Sequence, residues 1–323
     1  MPTLTRVAKT AAAALEHTFY VGETGTDAAG AVTVAITDAN GAAIAGGSGN
    51  ATSAGQGRYT FALPAQAQLQ LLTVAWSGTI AGTAVTETDL VEIVGGFFFS
   101  IAEGRASDSS LSSLTKYPTA RLVAARLEVE QECEEICDRA FVPRYRRAVL
   151  DGTGTSDLML VGDNDIRTIR AVRIAPEAGE TFVALTAAEL AKLVVTPDRV
   201  VTRVDGATWT EGRSNLIIEY EVGLDRPPED LVRAAKVRFR SLANVERTNI
   251  PDRAISFTTA EGASYRLTTP DAYETGIPFV DAVYARYSLR SGAGTAEGGR
   301  GVPASRTLNF DPQRSSLFHG GVR

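Results

Sequence analysis

Residues 117–143 read YPTARLVAARLEVEQECEEICDRAFVP, and this stretch decides how the rest of the chain divides. Leu122, Ala125, Val129, Cys133, Ile136 and Ala140 recur at steps of three or four, which puts them on one side of an α-helix. Pro118 sits at an early helical position, where a missing N–H costs nothing, and Pro143 stops the helix from running far. The spacing predicts a helix over 118–140, of about five to six turns. Its opposite face carries Glu128, Glu130, Glu132, Glu134 and Glu135, a solvated or subunit-facing surface. Cys133 and Cys137 share a face and could begin a metal site. No His or further Cys lies near them in sequence, and their spacing fits the apolar stripe, so they read as buried, inert thiols.

Upstream of this helix the pattern is of strands. Val32, Val34 and Ile36 alternate with polar or small residues, and Asp38 to Gly41 supplies a turn. Tyr59 and Phe61 alternate again, Leu72, Val74 and Trp76 form a further strand, and Val85 and Leu90 to Val94 close the block. Such runs, punctuated by Gly and Asn, predict an immunoglobulin-like β-sandwich over 17–104 with Trp76 as its core anchor. Residues 1–16 read as an N-terminal arm rather than a signal peptide. The longest apolar window, Leu90 to Ile101, is interrupted by Glu92, Gly95, Gly96 and Ser100 and is too short to span a bilayer. A soluble protein made in a reducing cytosol is expected.

Downstream, Tyr145 to Val222 is mostly β, with turns at Asp151 to Gly154 and Asp163 to Asp165 and a short helical turn near Ala187. Pro227, Pro228, Glu229 and Asp230 open a second helix. Leu231, Ala234, Ala235, Phe239 and Leu242 form its buried side, and Arg233, Lys236, Arg238 and Arg240 its basic side. A third helix is predicted over 277–289, with Ile277, Val280, Val283, Tyr284 and Tyr287 on one face. Residues 291–323 are rich in Gly, Ser and Arg and read as a tail that is flexible alone and ordered only by a partner.

The composition excludes several chemistries. A chain of 323 residues suggests two or three domains. With 2 His and 2 Cys, a multi-ligand zinc site or a disulfide framework is not expected, and imidazole catalysis has only His17 and His319 to draw on. Gly152-Thr-Gly154 lacks the Gly-Lys-Ser/Thr of a phosphate loop, and no Gly-x-Ser-x-Gly or His-Glu-x-x-His is present. No enzyme constellation, cofactor site or metal site is read. All but four of the 32 basic residues are Arg. The net charge of −6 combines an acidic first block, with Arg6, Lys9 and Arg58 against eight acids, and a nearly neutral remainder. Arg144, Arg146 and Arg147 cluster after the first helix, and Arg167, Arg170 and Arg173 recur at steps of three. These clusters read as solvated charge, as inter-subunit partners of the Glu-rich helix, or as a weakly basic channel facing DNA; the pattern does not choose.

Four stretches together resemble the head-to-tail connector (adaptor) proteins of long-tailed bacteriophages. Cys133-Glu-Glu-Ile-Cys-Asp-Arg-Ala-Phe141-Val-Pro143 is similar to the exit of that family's first long helix. Leu150-Asp-Gly-Thr-Gly-Thr155 with Leu158-Met-Leu160 is similar to the hairpin that follows. Asn215 to Gly223 and then Pro227 to Ala235 resemble its last strand and second helix. Tyr265 to Pro270 and Thr275 to Val283 resemble a C-terminal segment of connectors from actinobacterial phages.

The resemblance covers about 110–290 and implies a dodecameric ring beneath a portal protein, with DNA passing through and a C-terminal segment on the portal. The N-terminal sandwich departs from the much shorter minimal family and is expected to lie outside the ring. The expected fold is thus α+β and multidomain: arm 1–16, sandwich 17–104, helical connector domain with a β-rich insertion over 105–290, and tail 291–323. Expected partners are further copies of the chain, the portal, the next neck or tail-completion protein and passing genomic DNA, in a virion assembled in the host cytoplasm, with no membrane. Expected interface residues are Glu128, Glu132, Glu135, Arg233, Arg240, Tyr284, Tyr287, Arg290, Arg306, Phe310, Arg314 and Phe318. Expected channel residues are Arg144, Arg146, Arg147, Arg167 and Arg170. The alternatives are a tail or surface adhesin that grips carbohydrate through exposed aromatics of the sandwich, and a hydrolase using paired carboxylates.

Overall fold

Ten strands come first: β1 (Leu4–Ala8), β2 (Ala13–Thr18), β3 (Tyr20–Val21), β4 (Thr24–Gly25), β5 (Thr33–Thr37), β6 (Ala43–Asn50), β7 (Thr52–Gly55), β8 (Arg58–Leu63), β9 (Gln70–Ile80) and β10 (Thr83–Val94). The structure, a computed structural model, describes residues 4–160, 165–176, 180–196, 199–244, 256–258, 264–266 and 274–289. A five-stranded sheet in the order β1-β10-β9-β5-β6 faces a three-stranded sheet in the order β2-β8-β7. Val34, Ile36, Val74, Trp76 and Ile93 from the first sheet and Leu15, Tyr59 and Leu63 from the second share one core. Trp76 is fully buried, as its place in an alternating strand predicts.

The expected N-terminal arm is corrected. Leu4 to Ala8 pair in parallel with Leu90 to Val94, and Ala13 to Thr18 pair with Arg58 to Leu63. Each segment is too short for periodicity to register, yet each gains a backbone ladder and buries a side chain, Val7 and Leu15.

The helical part follows with α1 (Ile101–Ala106), a 3-10 turn over Ser109–Ser112, and α2 (Thr119–Cys137). Ser100 and Glu103 form a capping box at the start of α1. Asp138 adopts a left-handed φ of 53° and its N–H turns back to Glu134 and Glu135 carbonyls, which ends α2 before the expected 140. The chain continues through β11 (Arg144–Gly152), β12 (Asp157–Met159), β13 (Ile166–Ile174), β14 (Val183–Ala184), α3 (Ala187–Leu190), β15 (Leu193–Val195), β16 (Val200–Arg203) and β17 (Gly212–Val222). It then forms α4 (Glu229–Asn244), β18 (Ser256–Thr258), β19 (Ser264–Arg266) and α5 (Pro278–Tyr287).

Leu122, Val129 and Cys133 of α2 meet Leu231, Ala235 and Phe239 of α4 and Val280 and Tyr284 of α5 in a second core. Phe98 and Phe99 belong to this core, so the change from sheets to helices comes just ahead of α1 rather than at 104. A third core, built around Trp209, lies between a β11-β17-β13-β14 sheet and a β12-β16-β15 sheet. Gly223 leaves β17 with φ +101°, and a Cβ there would lie 2.2 Å from the Val142 carbonyl oxygen. Only glycine fits that approach. Among the described residues no helix is long and apolar enough to cross a membrane. The tail 291–323 and the positions Asp163, Asn164, Arg290, Arg306, Phe310, Arg314, Phe318 and His319 lie outside the described residues.

Candidate functional site

Val91 and Ile93 point into the first core, so the residue between them, Glu92, projects from the opposite face of the five-stranded sheet. That face is covered by α2 and β11, and the seam between them is built of charge. Arg6, beside Glu92 in the β1–β10 ladder, lies 2.9 Å from Glu92, 3.2 Å from Glu130 and 2.8 Å from Glu134. Arg144 lies 3.2 Å from Glu92, 2.8 Å from Glu134 and 3.8 Å from Glu130. The side chains of Arg144 and Glu130 are 0% exposed. Glu130 also accepts a hydrogen bond of 2.9 Å from the Phe98 N–H. Beside it, Arg126 sits 3.5 Å over the Phe97 ring and donates to the Phe99 carbonyl at 3.2 Å.

Burial sets the protonation behaviour of the seam. Desolvation pushes the Glu130 carboxyl above its ordinary value, against the Phe98 N–H, Arg144, Arg6 and Arg126, which pull it down. For Arg6, burial disfavours the charge, but Glu134, Glu92 and Glu130 together outweigh it and hold the guanidinium above its ordinary value. Arg126 is shifted down by burial, which Glu130 only partly offsets.

A second seam joins the same two parts nearer to water. Arg173 donates to Asn40 Oδ1 at 2.7 Å and to Glu219 Oε1 at 2.6 Å, and Asn40 Nδ2 donates to the same carboxylate at 2.9 Å. Arg170 donates to the Leu69 carbonyl and to Gln68 Oε1, and lies 3.7 Å from Glu221.

The first seam corrects one expected channel residue, and the second engages another. Arg144 is sealed inside the chain and offers no surface to DNA, whereas Arg170 is half-buried and held by the segment that leads into β9. The physical reason is the outer sheet face: its buried Glu92 carboxylate needs cationic partners from the elements that cover it. Arg146 is half-buried, 4.0 Å from Glu92, while Arg147 is exposed. Arg167 is paired with Asp225 at 2.6 Å and donates to the Gly223 carbonyl at 3.3 Å.

The expected interface residues also divide. Glu132 is half-buried and takes both Arg238 nitrogens at 2.7 Å, which joins α2 to α4 within the chain. Tyr284 is fully buried in the helical core, where burial raises its pKa, and the Tyr287 hydroxyl donates to Asp230 at 2.7 Å. Tyr284 is therefore corrected to an internal packing residue, while Glu132 and Tyr287 are half-buried and keep part of their surface outward. Glu128 and Glu135 of α2 and Arg233 and Arg240 of α4 are exposed. Arg233 lies 5.5 Å over the Phe279 ring and Arg240 is 3.6 Å from Asp108.

Cys133 and Cys137 are buried and free, and burial pushes the Cys133 thiol well up. His17 sits inside the first sheets, with Nδ1 2.7 Å from Asp89 and Nε2 3.1 Å from Glu87, stacked 5.4 Å from Trp76. Of the aromatics an adhesin would need, Phe19, Tyr59, Trp76, Phe98 and Phe99 are buried and only Tyr20 is well exposed. Sequence reasoning missed Arg6, Glu92 and Arg126 as working residues, and read Glu130, Glu134 and Arg173 as outward charge rather than as ties within the chain. The available signal was Glu92 standing alone in an apolar strand run, and Arg126, Glu130 and Glu134 at steps of four on α2.

No family model matches the chain, and no curated protein matches it. Solved structures do. A chain in "Virion of native gene transfer agent (GTA) particle" matches with a TM-score of 0.41 and 17% identity, over 61% of this chain and 93% of that one. A chain in "Neck of empty GTA particle computed with C6 symmetry" matches with a TM-score of 0.39 and 16% identity, over 62% and 93%. A chain in "Neck of native GTA particle computed with C12 symmetry" matches with a TM-score of 0.37 and 16% identity, over 64% and 99%.

Proposed function

We propose that the chain is a structural virion protein that assembles as a dodecameric ring beneath a portal, joins the DNA-filled head to the tail and lets DNA pass. The observation that carries this reading is a pair of complementary stripes on adjacent helices. Glu128, Gln131 and Glu135 follow one outward line on α2, at steps of three and four. Arg233, Lys236 and Arg240 follow another on α4, at the same steps. Two different patches of opposite charge on one molecule suit a heterologous, head-to-tail contact, and such contacts close into rings. Each exposed pair contributes only about 0–1 kcal/mol, so the stripes set partner and register while apolar contacts supply affinity.

In this reading the two N-terminal sheets form an immunoglobulin-like module outside the ring, held to it by the two seams. Arg147, with Arg146 beside it and Arg167 near the same sheet, is what remains of the basic channel surface. The α5 end and Arg290, Arg306, Phe310, Arg314 and Phe318 engage neighbouring chains or the portal, and the next neck or tail-completion protein binds below. The resemblance of residues 110–290 to head-to-tail connectors supports the same reading.

Electron microscopy of the purified protein or of virion necks tests it, with twelve-fold rings as the expected result. The double variant Glu128→Arg/Glu135→Arg should abolish rings. Combining it with Arg233→Glu/Arg240→Glu should restore them. Rings that survive the first variant unchanged would remove the role of the stripes. Truncation after Arg290 should leave folded protein that no longer co-sediments with portal, and unchanged co-sedimentation would refute tail docking there.

A further inference from the structure

A cavity of about 370 Å³ lies between the first sheets and the N-terminal half of α2. Its sheet side includes Leu15 and Val91, and its helix side includes Ala120, Val123, Ala124 and Leu127. Those four helix positions recur at steps of three, one and three, a stripe distinct from the Leu122–Val129–Cys133 stripe that enters the helical core. Thus α2 is apolar on two sides, and only one is covered by its own bundle.

The cavity is also flanked by two sheet edges. The lining includes residues of β1, the outer strand of the five-stranded sheet, and of β2, the outer strand of the three-stranded sheet. Edge strands present backbone donors and acceptors to a further strand. At about 370 Å³ the cavity is at the small end of the roughly 300–1,000 Å³ range of binding pockets, which suits one or two anchor side chains rather than a folded partner. The site therefore asks for an extended segment with apolar residues on alternate positions.

We propose that this occupant is the segment Arg306-Thr-Leu308-Asn-Phe310 of a second copy of the chain, added beside the β1 and β2 edges with Leu308 and Phe310 inserted against α2. The segment's sequence has the required alternation, since Leu308 and Phe310 are two residues apart and an extended strand would put them on one face. Charge favours the pairing. Residues 290–323 carry Arg290, Arg300, Arg306, Arg314 and Arg323 against Glu297 and Asp311 alone, whereas residues 1–104 carry eight acids against three basic residues. Glu16, exposed at the cavity, is one of those acids.

The last described residue before the tail, Leu289, sits away from the cavity. The Leu289 N–H donates to the Cys137 carbonyl at 3.0 Å, at the far end of α2 from the cavity. The second-copy form rests on the ring reading above, in which one chain's tail filling the next chain's groove repeats without conflict round a closed circle.

The test uses the full chain carrying Ala124→Cys and Leu308→Cys, oxidised mildly and run on a non-reducing gel. Ala124 is exposed, and the two native thiols are buried, so the new pair reports alone. A ladder of covalent multimers, absent from either single variant, is the expected result. A monomer of altered mobility would mean that the tail folds onto its own groove and would overturn the inference, as would an unshifted monomer. Leu308→Asp/Phe310→Asp should lower the assembled fraction in sedimentation. Rings seen by microscopy without a ladder would sink this inference and leave the ring reading standing. Loss of rings in every variant and in the unmodified chain would sink the ring reading instead.

Discussion

Arg144 and Arg173 both tie the N-terminal sheets to the rest of the chain, and both pair with glutamate, but they do so in different surroundings. Arg144 is 0% exposed and meets Glu92, Glu130 and Glu134 at distances from 2.8 to 3.8 Å. The Arg173 side chain is 27% exposed and meets one carboxylate and one amide. In the first seam water cannot replace a lost partner, so the charges depend on one another. In the second it can, so each pair is nearly dispensable. The first seam is a registry device whose members must be kept together. The second fastens an edge.

The largest test of this contrast removes Arg144. Arg144→Ala leaves Glu92, Glu130 and Glu134 with Arg6 as their close cationic partner and should cost about 3–5 kcal/mol in denaturant unfolding. A loss under ~1 kcal/mol would mean that water reaches the seam. Arg6→Ala should behave similarly and would also show that β1 is integral to the sheet rather than an arm.

Glu130→Gln should be much milder, about 1 kcal/mol or less at neutral pH, because burial already disfavours its charge. The pH dependence has a definite sign. The folded pKa of Glu130 is raised, so its contribution is fully present below the unfolded value and is lost as pH rises through the folded value. The stability of Glu130→Gln relative to the unmodified chain should therefore improve as pH rises, and paired unfolding curves across the acidic range would show it. The opposite slope would assign the charge cost elsewhere in the seam.

Arg173→Ala should cost only ~0.2–1 kcal/mol, measurable in the same assay and weakened by salt. The smallest effect is expected at Asp205, held at about 2 by the Arg203 side chain and the Ala207 N–H. Its contribution is present above the ordinary carboxylate range and is lost as pH falls toward about 2. Amide exchange in β15 and β16 should speed up over that window, and not in Asp205→Asn.

Much of the architecture was legible because it rests on local periodicity. The alternation at Val32 to Ile36 and Leu72 to Trp76 marked strands whose apolar side is the core. The steps of three and four marked α2, α4 and α5 to within a few residues. The site was less legible. Sequence reading placed all five glutamates of α2 on an outward face, but Glu130 is buried, Glu134 nearly so, and Glu132 is paired with Arg238. Exposure of a polar helix face depends on what covers it, and no spacing rule reports that. Arg6 fell in a segment too short to show a pattern, and its role depends on Glu92, eighty-six residues away.

By itself, then, the sequence determined the order of strands and helices, the buried identity of Trp76, Cys133 and Cys137, the acidic character of the first block and the basic stripe of α4. Each follows from composition or from neighbours within one or two turns of chain. Tertiary structure alone decided which charges are solvated and which are sealed. It turned Arg144 from a candidate channel residue into an internal tie, and left Glu128, Glu135, Arg233 and Arg240 outward. The reason is that desolvation is set by the packing of distant segments, and the same Arg–Glu pair is dispensable in water but mutually dependent once three elements close over it.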